Sequence, residues 1–168
     1  MLPHAVKINP QIHTQIPLIS EEKISIEFSS HKSNVLIGKR WSVWGSGSIR
    51  SKNNVGLAIA ENMWVKLESA GFRPGKGFKI IIDPAFLSYD IETGFFTVTS
   101  NIKFVLSVTI KSVNNITIYA RQYHGANSNV HLGTPFSWTN EKNINRAIAS
   151  AIENVFWDNG FWRALEPQ

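Results

Sequence analysis

The chain has 168 residues, 43% of them hydrophobic and 17% charged, and it contains no cysteine. These values describe one globular domain with a sizeable core and exclude disulfides and thiolate metal centres. Lys and Arg number 17 against 12 Asp and Glu, a net charge of +5 that suits an anionic partner, although the basic residues are scattered. No run reaches the ~18 apolar residues of a membrane span.

Residues 1–20, MLPHAVKINPQIHTQIPLIS, carry Pro3, Pro10 and Pro17 and show neither helical nor strand period. They read as an extended arm or tether, with 21–168 as a single α+β domain. The first residues lack the basic-then-apolar pattern of a secretory signal, so the chain is either cytosolic or a mature form. KISIEF, Lys23 to Phe28, alternates Ile24, Ile26 and Phe28 as a first strand. NVLIGKRWSVWG continues as strand or extended loop, and in it Trp41 and Trp44 stand beside Lys39 and Arg40. GSGSIRSK has neither the G-K-[ST] of a phosphate loop nor the third glycine of a dinucleotide fingerprint. It is expected to be a flexible, solvated loop.

From Asn54 the period changes. Val55, Ile59, Met63 and Leu67 recur every four residues, which predicts a helix capped by Asn53 or Asn54 and closed at Gly71. RPGKG follows as a turn, then FKIIIDPAFLSYD as a strand that Pro84 interrupts or pushes to an edge. Phe96 to Ile110 alternates over its whole length: Phe96, Val98, Ile102, Phe104, Leu106, Val108 and Ile110 share one face. A strand so long predicts a bend or bulge near Ser100. SVNN turns the chain into ITIYARQYHGA, where Ile116, Ile118 and Ala120 oppose Thr117, Tyr119, Arg121 and Tyr123. The hairpin's solvent face is thereby expected to hold Lys103, Lys111, Tyr119, Arg121 and Tyr123. After an irregular stretch, Thr139 or Asn140 caps a second helix with Ile144, Ile148, Ala151, Ile152 and Val155 as its stripe, ending at Gly160. The whole predicts an antiparallel sheet of about four strands with two helices packed on one face.

No catalytic set emerges. The five histidines show no i, i+4 pair and no acidic neighbours in a ligand pattern, and no nucleophile elbow is present. The reading is therefore of a protein that is not an enzyme, with no metal and no cofactor. Arg40, Trp41 and Trp44 in the first half, and Lys103, Tyr119, Arg121 and Tyr123 on the hairpin, are the candidate partner contacts.

Three stretches, NVGLAIAENMWVKLESAGFRP, FKIIIDPAFLSYDIETGFFTVTSNIKFVLSVTIK and NINRAIASAIENVF, resemble the YajG-type lipoproteins of Gram-negative bacteria across residues 20–160. The shared pattern is a helix ending in an AGF turn, a strand with aromatics near its end, a long alternating strand, its return strand, and a closing N-I-x-x-A-I helix. The resemblance implies a periplasmic domain anchored to the outer membrane through an acylated N-terminal Cys that is absent from this chain. The arm, the two-layer pattern and the absence of a catalytic set add the expectation of a domain that works by binding, with an envelope protein as partner in a cell-envelope complex or cell-wall process. The alternatives are a basic nucleic-acid-binding module and a hydrolase with an unrecognised site.

Overall fold

The computed structural model describes residues 4–16, 22–29, 33–42, 45–93, 95–132 and 137–166. Strands β1 (His4–Val6), β2 (Lys23–Phe28), β3 (Leu36–Ser42) and β4 (Gly45–Ser51) precede helix α1 (Val55–Ser69). Strands β5 (Arg73–Pro74), β6 (Phe78–Thr93), β7 (Thr97–Lys111) and β8 (Thr117–Leu132) follow, then helices α2 (Ser137–Trp157) and α3 (Asn159–Arg163).

The main sheet has the order β5-β2-β6-β7-β8, and a second, three-stranded sheet has the order β1-β4-β3. Strands β6, β7 and β8 form an antiparallel meander, whereas β2 runs parallel to both β5 and β6. The expected four-stranded antiparallel sheet is thus a five-stranded mixed one, with a second sheet and a third helix beside it. Alternation of side chains is the same in parallel and antiparallel strands. The intervening α1 lets β2 and β6 run parallel, because such a pair needs a long crossover. Strands of two or three residues, such as β5 and β1, carry no period to read.

Asn54 caps α1, accepting from the Leu57 amide at 2.9 Å, and Gly71 adopts φ 100° after its last turn. Both follow the sequence pattern. The GSGSIRS stretch differs from expectation: it is strand β4, paired antiparallel to β3 on one side and parallel to β1 on the other. The N-terminal segment also packs. Val6 and Ile8 are fully buried, so the described part of the expected arm, residues 4–16, lies on the domain.

Pro84 sits within β6 without breaking it. The Ser29 amide donates to the Ile82 carbonyl at 3.1 Å, so Ile82 presents its backbone groups toward β2. Two residues on, Pro84 faces the same side, where β2 has already ended, and its missing N–H leaves no ladder bond unmade. The bulge lies elsewhere than Ser100. Phe86 pairs with Phe104 but Ser88 pairs with Lys103, leaving Leu87 as the extra residue. Beyond it the parity of β6 reverses, which turns Tyr89 and Ile91 toward the core face.

Helix α1 lies over β2 and β6 and α2 over β7 and β8, with Ile59, Met63, Ile82, Phe104, Leu106, Ile148 and Ile152 in one continuous core. Both helices therefore cover the same face. Helix α2 approaches β8 most closely at Gly125, where an added Cβ would stand 1.9 Å from the Ala147 carbonyl oxygen. A Gly125→Ala variant must lift the helix or bend the strand, at a cost of about 1–3 kcal/mol or more. Urea unfolding should show a lowered midpoint with an unchanged slope; a wild-type midpoint would contradict this packing.

Candidate functional site

Three of the residues singled out on the hairpin meet at one carboxylate. Tyr119, Arg121 and Tyr123 lie at alternate positions of β8, opposite Ile110, Val108 and Leu106 of β7. They are on the helix-covered face, the reverse of the expected assignment. Lys103 points to the open face, opposite Ala126, and does not join them. Of the other candidates, Arg40 and Trp41 belong to β3, whose side chains there are outside the described residues, as is Trp44 altogether.

The meeting point is Asp158, between α2 and α3. Its Oδ2 accepts from Tyr119 Oη at 2.6 Å, Tyr123 Oη at 2.8 Å and Arg121 Nη1 at 2.6 Å. Its Oδ1 accepts the Gly160 amide at 2.7 Å as the N-cap of α3. The two tyrosine hydroxyl oxygens also lie against each other, and the Arg121 guanidinium lies 5.9 Å from the Tyr123 ring centroid. Helix α2 therefore stops at Trp157, ahead of the expected Gly160, because Asp158 starts a new helix there. The D-N-G after the apolar stripe is a cap signal of the Asx kind, and it marks the residue that the hairpin alone does not reveal.

Burial alone would raise the Asp158 pKa, but the bonds from Tyr119, Tyr123, Gly160 and Arg121 outweigh it and hold the carboxyl at about 2. Burial, reinforced by Tyr119 and Asp158, pushes the Tyr123 phenol far up, and burial with Asp158 raises Tyr119. A carboxylate so saturated is no proton acceptor near neutrality, and phenols so held are no nucleophiles. The cluster clamps the α2–α3 corner to β8. Beside it lies a shallow depression of about 540 Å³ lined by Arg121, His124, Asn154 and Trp157.

A second polar set lies beneath the start of α2. The Tyr89 hydroxyl, aimed inward by the Leu87 bulge, donates to Asn140 Oδ1 at 2.5 Å. Asn143 Nδ2 donates to the Ser100 carbonyl at 3.0 Å and its Oγ at 2.9 Å, and Asn127 donates to Asn143 Oδ1. Burial pushes the Tyr89 phenol up to about 12, against the opposing bonds of Ser100 and Asn143. Asn140 and Asn143 are fully buried inside α2, which begins at Ser137, ahead of the expected caps. Ser100 Oγ also lies 3.0 Å from His131 Nε2. That pair is not a hydrolytic dyad, because Ser100 is fully buried beneath Asn143 and no substrate carbonyl can reach it.

The third feature is a groove of about 620 Å³ between residues 9–13 and the outer face of α2. Backbone amides of the N-terminal segment donate to side chains of the helix: Lys7 to Glu141 at 2.8 Å, Asn9 to Asn145 at 2.8 Å and His13 to Glu153 at 3.0 Å. Asn145 returns a bond to the Lys7 carbonyl at 2.9 Å. Among the described residues, no three His, Asp or Glu gather as metal ligands and no helix is long and apolar enough to cross a membrane.

No family model and no curated protein matches the chain by sequence. Solved structures share its fold. A Xanthomonas campestris protein of the DUF330 family is 12% identical, over 94% of this chain and 92% of that one, with a TM-score of 0.56. The minor lipoprotein of Acinetobacter baumannii is 9% identical, over 85% and 94%, with a TM-score of 0.57. A candidate lipoprotein of Caulobacter crescentus CB15 is 11% identical, over 85% and 93%, with a TM-score of 0.52. The fold is that of these proteins. The sequence resemblance to lipoproteins is met by structural neighbours and by no sequence-level family.

Two outcomes follow from the clamp and the buried phenol. The chain has three tyrosines, and all three have raised pKa values. Absorbance at 295 nm should show less phenolate at pH 10, the ordinary phenol value, than three free tyrosines give, and reach its full rise only as the protein unfolds. Three phenolates titrating together near pH 10 in the folded protein would count against the structure. Asp158 acts at the other extreme. Its folded pKa of about 2 is below the ordinary 3.8, so its contribution is complete above 3.8 and fades as pH falls through 2. Asp158→Asn should cost about 2 kcal/mol at pH 7 and much less near pH 2, read by urea melts at both values.

Proposed function

We propose that this chain is the folded domain of a Gram-negative envelope lipoprotein that acts by binding a protein partner rather than by catalysis. The observation that carries the reading is the fold, shared over 85–94% of the chain with a DUF330 protein and with lipoproteins. The site geometry supports the same view. The described titratable clusters are closed on themselves: Asp158 is saturated, Ser100 is buried, and the tyrosines keep their protons.

In this reading the domain is periplasmic and held at the outer membrane by an acyl chain on a cysteine N-terminal to it. The partner surface is the open face of the five-stranded sheet, on which Lys103 stands exposed beside Leu87, which is 56% accessible. Arg40, Trp41 and Trp44 remain candidates for the same contact.

Metabolic labelling with a radioactive fatty acid, from the full coding sequence in a Gram-negative host, tests the anchor. Label should appear on the protein, sediment with outer membrane, and vanish when the acylated cysteine is replaced by serine. A coding region without a signal peptide and such a cysteine, or an unlabelled cytosolic product, would overturn the reading. A photo-crosslinker at Lys103 should capture an envelope protein, and a crosslinker at buried Ile110 should not.

A further inference from the structure

The open face of the five-stranded sheet carries its own electrostatic complement. Paired residues of a ladder share a face, so the register decides which charges gather on it. At the end nearest the β7–β8 turn, Lys79 of β6 stands directly opposite Lys111 of β7, and Lys23 of β2 opposite Arg73 of β5. Ser25 links the two pairs, lying next to Lys79 in register and two residues from Lys23. Glu27 relieves one of these charges, its carboxylate 2.9 Å from Lys79 Nζ. Lys111 has no ion-pair partner among the described residues, although like charges set opposite each other cost a sheet stability.

The other end of the same face is acidic. Asp90 and Glu92 of β6 are exposed opposite Asn101 and Thr99 of β7, and Ser128 and Val130 of β8 complete the two rows. Neither row holds a Lys or Arg. Between the ends the charges balance. Ala85, Val105 and His124 form the middle row, with Lys103 two residues to one side of Val105 and Asp83, opposite Ser107, two residues to the other.

Val105 lies six residues from Lys111 and six from Thr99, the partner of Glu92, about 20 Å each way. A two-fold axis lying in the face and crossing the strands there exchanges its ends. Lys79 and Lys111 of one copy then meet Glu92 of the other, and Lys103 meets Asp83. An axis along the strands would lay each end on its own kind. The roughly 30° between packed sheets shifts the rows sideways and leaves the ends matched. A surface that is its own complement is what an isologous dimer requires. Strands β6, β7 and β8 offer about 50 Å by roughly 14 Å, close to the ~800 Å² that each partner buries in a standard interface.

We propose that the open face is the interface of a two-fold dimer of this chain, two sheets packed face to face with the basic end of each on the acidic end of the other. The proposal rests on the reading above that places the partner surface on this face, and it names a second copy as the partner.

Sedimentation of the purified chain over a range of concentrations reads the dimer directly. Wild type should associate at micromolar concentrations and weaken as salt rises to about 0.5 M. Lys111→Glu and Glu92→Lys each set like charges together twice per dimer, and each should raise the Kd about tenfold or more. The two single variants mixed should form a heterodimer, and both changes in one chain should regain wild-type association. Recovery on mixing also shows that each single variant is folded. Lys142→Glu, exposed on α2, changes the net charge equally and should have no effect. A chain that stays monomeric at hundreds of micromolar, or a dimer indifferent to both reversals, overturns the proposal. A monomeric chain whose Lys103 crosslinker captures another envelope protein loses the dimer and keeps the binding reading, so the two failures are told apart.

Discussion

Helix α2 meets β8 backbone to backbone at Gly125, with the Ala147 carbonyl oxygen and the Ala151 amide nitrogen 1.9 and 2.8 Å from where a Cβ would be. That contact sets the height and direction of a 21-residue helix, and the molecule's polar anchors are placed from it. Toward one end, Asn140 and Asn143 reach Tyr89 and Ser100; toward the other, Asn154 reaches the His124 carbonyl and Asp158 the tyrosines. These bonds are between 2.5 and 3.0 Å long. A helix lifted by even 1 Å would leave buried amides without partners, each costing about 1–3 kcal/mol. The glycine and the two alanines one helical turn apart are thus the condition for the polar contacts on either side.

The outer face of the same helix holds the N-terminal segment by a geometric coincidence. Two residues of extended chain advance about 6.6 Å, and four residues of helix advance about 6.0 Å. Every second backbone amide of residues 7–13 can therefore face every fourth side chain of α2. The mismatch accumulates to roughly 2 Å over the three steps from Lys7 to His13. It is taken up by the longer side chains at the ends, Glu141 and Glu153, with Asn145 between them. The rung at Gln11 falls opposite Ala149, which has no acceptor to offer, and the groove opens there.

Much of this architecture was legible in the pattern of residues. The bounds of β2, the Asn54 cap, the Gly71 stop and the core face of β7 follow from periodicity and turn chemistry alone. Strand β4 was not legible, since GSGSIRS has poor strand propensity and is extended because it is paired on both sides. The Leu87 bulge leaves no mark in one sequence, yet it decides that Tyr89 is inside. The face of β8 was inverted for a local reason. Ile116 and Ile118 suggest the buried parity, but Ile116 lies at the turn and is 62% exposed. Tyr119 and Tyr123 bury their rings while their hydroxyls reach Asp158 at the rim, and Arg121 extends past them to water. Of the candidate contacts, Lys103 is on the open face as expected, and the other three hairpin residues are clamp.

The clamp also bears on what kind of work the domain can do. Strands β6, β7 and β8 are 15 or 16 residues long, about 50 Å of continuous ladder. At one end the ladder is locked to the helices by Asp158, whose bonds hold three side chains and a backbone amide in a fixed arrangement. At the other it ends near two exposed phenylalanines, Phe95 and Phe96. Proton transfer needs groups free to change charge near neutrality, and the clamp and the buried network hold theirs in one state. The residues read from the sequence as partner contacts, an arginine between two tyrosines, are the ones that the fold ties to Asp158.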